Sequence, residues 1–130
     1  STTVYRQLGE GAFKAVMLDW RGTYPDPEAY LTPLLSCSNP SGEICLDGEA
    51  AISGSFWSTS GLQEALRSSD ELRGAARHAE LKRIERMSAL GAAYIPVWLE
   101  SPRAWGQTDL SVPEFDGSGH VRLNRLRRTR

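Results

Sequence analysis

Pro25 and Pro27 stand one residue apart in the stretch DWRGTYPDPEAYL, Asp19 to Leu31. Neither can donate a backbone N–H, and each pushes the residue before it away from helical dihedrals. RGTYPDP is therefore a stiff, irregular corner, whatever lies on either side of it. Before it runs FKAVMLDW, a continuous apolar stretch that reads as a mostly buried strand ending at Trp20. After it, Asp26 has the chemistry of an N-cap and Pro27 that of a first helical position. The segment PEAYLTPLLS is then expected as a helix that buries Tyr30, Leu31, Leu34 and Leu35.

The rest of the chain alternates in kind. TTVYRQLGEGAF reads as a short helix ending near Gly9 to Gly11, with Val4, Tyr5 and Leu8 on one side. Cys37 to Ser60 is polar and aperiodic, anchored by Phe56 and Trp57. GLQEALRS is a short helix, and Ser68 to Glu71 has the form of a capping box. ELRGAARHAELKRIERMSAL carries Leu72, Ala76, Ala79, Leu81, Ile84, Met87 and Leu90 at broadly helical spacing, with Gly91 as C-cap. AAYIPVWLE reads as a strand whose Pro96 needs an edge position or a bulge. Turn signals follow from Ser101, and HVRLNRL is a possible last strand. No repeat or linker divides residues 1–130, so the expectation is one domain of mixed α/β layers.

Composition narrows the function classes. With 40% hydrophobic and 24% charged residues, the chain lacks the signature of disorder. A net charge of -1 argues against a general polyanion binder. The tail VRLNRLRRTR is basic but has no aromatic side chains for stacking on bases, so no nucleic acid partner is expected. No apolar run approaches the roughly 18 residues of a membrane span, and STTVYRQLGEG lacks the features of a signal peptide. The two cysteines, Cys37 and Cys45, flank a turn-rich segment that lets the thiols meet. They are read as a disulfide, with two unrelated thiols as the alternative.

Catalytic patterns are weak. Asp19, Asp26 and Glu28 are close in sequence, but Asp26 serves as a cap and Asp19 ends a strand, so both read as structural or surface acids. His78 and His120 are far apart, and neither GxSxG nor HExxH is present. DGSG, Asp116 to Gly119, lacks the Lys-Ser/Thr of a P-loop and reads as a plain β-turn. No catalytic residue, metal site or cofactor is expected, and the chain is not read as an enzyme. Among the four tryptophans, Trp57 and Trp98 suit a core, whereas Trp20 and Trp105 sit beside turns, where an aromatic lines a pocket as readily as it fills a core.

FKAVMLDWRGTYPDPEAYLTPLLSC resembles the strand, W-x-x-x-Y-P-D-P and helix of family 5 extracellular solute-binding proteins. These are the peptide-, dipeptide- and nickel-binding components of ABC importers. FWSTSGLQEAL and ELRGAARHAELKRIERMSALGAAYIPVW are similar to later segments of that family, in the same order. The resemblance runs from Val4 to about Trp105 and implies a periplasmic-binding-protein type II fold, of which residues 1–130 would form the C-terminal part of the second lobe. Residues 101–130 would then be a return segment with a basic tail. The resemblance implies ligand contacts from Trp20, Arg21, Gly22 and Thr23; where many peptide-binding members carry an Asp, this chain has Thr23. It also implies a Cys37–Cys45 disulfide, a periplasmic or other extracytoplasmic location, and capture of a peptide or other small solute. The implied partners are a membrane permease and the remaining lobe of a full-length protein. A stand-alone structural domain that forms a homo-oligomer and binds no solute is the alternative expectation.

Overall fold

The proline corner leads into a helix, as its sequence predicts. In the computed structural model, which describes residues 2–129, the order is α1 (Thr2–Gly9), α2 (Glu28–Leu35), β1 (Pro40–Ser41), β2 (Ile44–Cys45), α3 (Glu49–Ile52), α4 (Leu62–Glu71) and α5 (Gly74–Gly91). A 3-10 turn follows at Leu123–Arg125. The described residues thus form a small, mixed fold of helices and one short two-stranded sheet. Arg130, the final arginine of the basic tail, lies outside the described residues.

The main core sits where α2, α4 and α5 meet. Leu35, Leu62, Ala65, Leu66, Leu81 and Ile84 are buried there, with Leu31, Leu34, Trp57, Met87 and Tyr94 packed around them. α5 buries a narrower stripe than its spacing predicts, because α2 and α4 are its main helical neighbours. Ala76, Ala79 and Leu90 face solvent. The expected capping box does not start a helix. α4 continues through Ser68–Glu71, and the buried Ser69 hydroxyl donates back to the Leu66 carbonyl at 2.7 Å. The break falls at Leu72–Arg73, and α5 begins without a side-chain cap. Gly91 is the last helical residue, and Ala92 takes the left-handed conformation instead (φ 49). Glycine is needed at 91 for another reason: a Cβ there would collide with the Trp57 indole.

A second, smaller core lies beneath the disulfide. Cys37 and Cys45 are bonded, with Cα atoms 5.8 Å apart. β1 and β2 pair antiparallel between them, Pro40 opposite Cys45 and Ser41 opposite Ile44. Cys45, Ala50 and Ala51 are buried, with Cys37 and Phe56 against them. Gln63 of α4 ties this layer to the first: its side chain accepts from the Cys37 N–H at 2.8 Å and donates to the Leu35 carbonyl at 3.0 Å. That second bond satisfies one of the carbonyls left open at the end of α2.

The expected strands at Phe13–Trp20, Ala92–Glu100 and His120–Leu126 do not form. Residues 13–22 and 93–106 are irregular, and none of their backbone groups bonds to another backbone group among the described residues. A strand needs a neighbour to complete its ladder, and the described residues place none beside either segment. Their apolar side chains therefore meet solvent: Met17, Ile95, Val97, Trp98 and Leu99 are all exposed. Trp98, expected in the core, is 69% exposed. Near the C-terminus, the bridges Phe115–Val121 and Leu110–Arg128 and the 3-10 turn replace the last strand. The described chain exposes 9897 Å², against about 6,800 Å² for a compact protein of this mass. Among the described residues, no helix is long and apolar enough to cross a membrane.

Candidate functional site

Pro33 lies inside α2, at a position where an ordinary residue would donate its N–H to the Ala29 carbonyl. Proline has no N–H, so that carbonyl is left without its helical partner. The Trp20 indole takes the vacant role, with Nε1 donating to the Ala29 oxygen at 3.2 Å. Trp20 is thereby tethered at one edge while remaining 45% exposed. Such an aromatic offers a positioned apolar face to whatever approaches it.

The residues that follow it divide by burial. Gly22 is buried beneath Tyr30, and a Cβ at 22 would lie 2.6 Å from the Tyr30 ring, so only glycine permits this approach. Covering Gly22 explains why Tyr30 is outside the core it was expected to join. Arg21 and Thr23 are exposed, and Arg21 takes part in no ion pair among the described residues. The structure therefore gathers an indole face, a free guanidinium and a hydroxyl on one stretch of chain.

The acids of this corner hold the backbone. Pro27, expected as the first helical residue, takes the cap position of α2, and Asp26 lies one residue before it, one carboxylate oxygen accepting from the Glu28 N–H at 2.9 Å. Arg77 of α5 grips both oxygens of the same carboxylate, at 2.8 and 2.9 Å. The Arg77 hydrogen bonds, helped by the Glu28 N–H, hold the Asp26 carboxyl below its ordinary value. The Tyr24 hydroxyl donates to Glu28, which raises the Tyr24 phenol above its usual range. Asp26 is thus engaged with a cation and a backbone donor, and Glu28 with a phenol.

The depressed Asp26 value sets a pH dependence. A carboxyl with a lowered folded-state pKa contributes stability above its unfolded value, and that contribution is lost as pH falls through the folded value. The thermal midpoint should fall as pH drops from about 5 toward about 2, on the acid side of an ordinary Asp. Circular-dichroism melts of Asp26→Asn should show a lower midpoint at neutral pH and a shallower acid decline. An unchanged slope would show that the Arg77 contact contributes nothing.

Sequence reasoning did not assign roles here to Pro33, Arg77 or Tyr30. Pro33 gave a usable signal, since a proline beyond the first turn of a helix frees a carbonyl one turn back. Arg77 gave none, being one of several charged residues on α5. Two shallow grooves lie away from the corner, on the return segment. One is lined by Ser111, Val112, Glu114, Arg125 and Arg127. The other is lined by Arg103, Trp105, Val112, Pro113 and Phe115, among others. His78 and His120 are both exposed and remain unconnected to the corner's acids, and the described residues hold no cluster of His, Cys, Asp or Glu that could bind a metal. Compared with known proteins, the chain matches no family profile, no curated sequence and no solved structure.

Proposed function

We propose that this chain is part of the extracytoplasmic solute-binding component of an ABC importer, capturing a peptide or related small solute without catalysis. In this reading it contributes the C-terminal part of the second lobe of a periplasmic-binding-protein type II fold. The observation that carries the reading is Trp20: half-exposed, tethered by the Ala29 carbonyl, and set on a corner that prolines and the Asp26–Arg77 pair keep stiff. A tethered aromatic beside free polar groups suits capture by an apolar wall with a few oriented contacts. The motif resemblance and the order of its segments support the same reading.

The bare stretches at 13–22 and 93–106 support the two-lobe part of the proposal. Both are apolar and lack backbone partners, so strands from the remainder of a longer protein would complete them. The disulfide fits an oxidising compartment outside the cytoplasm. A membrane permease is the expected partner for delivery of the captured solute.

Native mass spectrometry of the intact protein, isolated from the cell that makes it, tests this. A peptide-mass ligand should be released on denaturation, and Trp20→Ala should reduce its occupancy about tenfold or more. No released ligand, together with no binding of a tripeptide library, would sink the proposal. The exposed Met17, Ile95, Trp98 and Leu99 favour a second reading, a self-associating domain that binds no solute. Light scattering at high concentration separates the two, since a strict monomer contradicts self-association.

A further inference from the structure

The DGSG turn has the backbone pattern of a plain β-turn but does not stand alone in the fold. The Asp116 carboxylate accepts from the Ser118 and His120 N–H groups, both at 2.9 Å, which closes the turn on itself. The turn then seats on the proline corner, roughly ninety residues earlier in sequence. The Ser118 hydroxyl donates to the Thr23 carbonyl at 3.3 Å. Gly117 lies so close to Pro25 that a Cβ would fall 2.9 Å from the Pro25 Cβ and 3.0 Å from its Cγ. A proline ring cannot swing aside as a flexible side chain would, so this approach requires glycine.

The same corner is gripped from two other directions. Arg77 holds Asp26 from α5, and Ala29 holds Trp20 from α2. Without the turn, the stretch between these anchors, residues 21–25, has no backbone partner outside its own immediate neighbours. The turn supplies the third point of support, on the residues next to Trp20.

We infer that the Asp116–Gly119 turn is a positioning element for the Trp20–Thr23 wall, fixing where the indole, the guanidinium and the hydroxyl stand relative to a ligand. The inference rests on the solute-capture reading, and it assigns Gly117 and Ser118 a role through Pro25 and Thr23, without ligand contact of their own. Placement errors of about 1 Å in a recognition surface are enough to weaken binding strongly.

The test uses the intact protein with Gly117→Val, and Gly106→Ala as a control on the same segment, where a Cβ meets only Leu110 at 3.8 Å. Two readouts are taken: hydrogen exchange at the Trp20 indole N–H, which the Ala29 carbonyl holds, and titration with a tripeptide library. Gly117→Val should speed exchange at the indole by about tenfold or more while the α5 amides around Leu81–Ile84 stay protected. It should also weaken tripeptide binding by about tenfold, and Gly106→Ala should do neither. Should Gly117→Val fail to fold, Ser118→Ala removes only the Thr23 link and should give a smaller change in the same direction, about threefold. Unchanged indole exchange in a folded Gly117→Val protein overturns the inference. If exchange responds but the unmodified protein takes up no tripeptide, the capture reading fails and the mechanical link between turn and corner stands.

Discussion

Ile84→Ala should lower the unfolding free energy of the chain by about 3–4 kcal/mol, within the range for removing a buried isoleucine to alanine. Ile84 is completely buried at the meeting of α5, α4 and α2, against Leu35, Leu62, Leu66 and Leu81. The buried core around it is small, so few side chains are available to close over the cavity. Net stability of a domain is about 5–15 kcal/mol, and this chain has a large exposed surface to offset. The loss should therefore consume much of the stability present. Urea unfolding checks it: the midpoint should fall sharply while the slope stays unchanged. A loss below about 1 kcal/mol would mean that the α4–α5 packing is looser than the burial of Ile84 indicates.

Breaking the Cys37–Cys45 bond should cost about 2–3 kcal/mol, the chain-entropy value for a loop with sequence separation 8. The effect should concentrate in the second core, where Cys45 is fully buried and its N–H donates to the Phe56 carbonyl at 2.8 Å. Melts with and without reductant give the measurement. Reduction should lower the midpoint of the natural chain and leave a Cys37→Ala/Cys45→Ala variant unaffected. If reductant does not move the natural chain, the hairpin is held by Gly48, Gln63 and the α3 contacts without needing the bond. Gly48 makes that alternative concrete: at φ +121, a Cβ there would press to 2.8 Å from the Ser38 nitrogen.

Local signals in the sequence were reliable where the chemistry is local. Asp26 and Pro27 stand immediately before α2, the helical spacing of ELRGAARHAELKRIERMSAL locates α5, and the spacing of the cysteines suits the disulfide that forms. The expected strands failed for one shared reason. A run such as FKAVMLDW records a demand for burial, whereas a strand also needs a partner backbone, and nothing among the described residues supplies one. Helix boundaries were misplaced where tertiary packing overrode local preference. Ser69 turned inward and α4 ran through the capping-box pattern; Gly91 stayed helical because Trp57 occupies its side-chain space. At the candidate site the stiff corner was legible from its prolines, whereas Trp20 could be read as pocket or core and Thr23 entered only through the motif resemblance. Their supports were not legible, because Arg77 and the DGSG turn reach the corner from far along the chain. Contacts of that range leave no periodicity to read.

Under the proposed function, the Trp20–Thr23 wall is one side of a ligand cleft whose other side lies beyond these residues. Calorimetric titration of a tripeptide library tests it most directly, run in parallel on the 130-residue chain and on the intact protein from its own cell. Binding to the chain should be weak or undetectable, binding to the intact protein should have a micromolar Kd or tighter, and Trp20→Ala should abolish it. Micromolar binding to the chain alone, or binding to the intact protein that ignores Trp20→Ala, would contradict it.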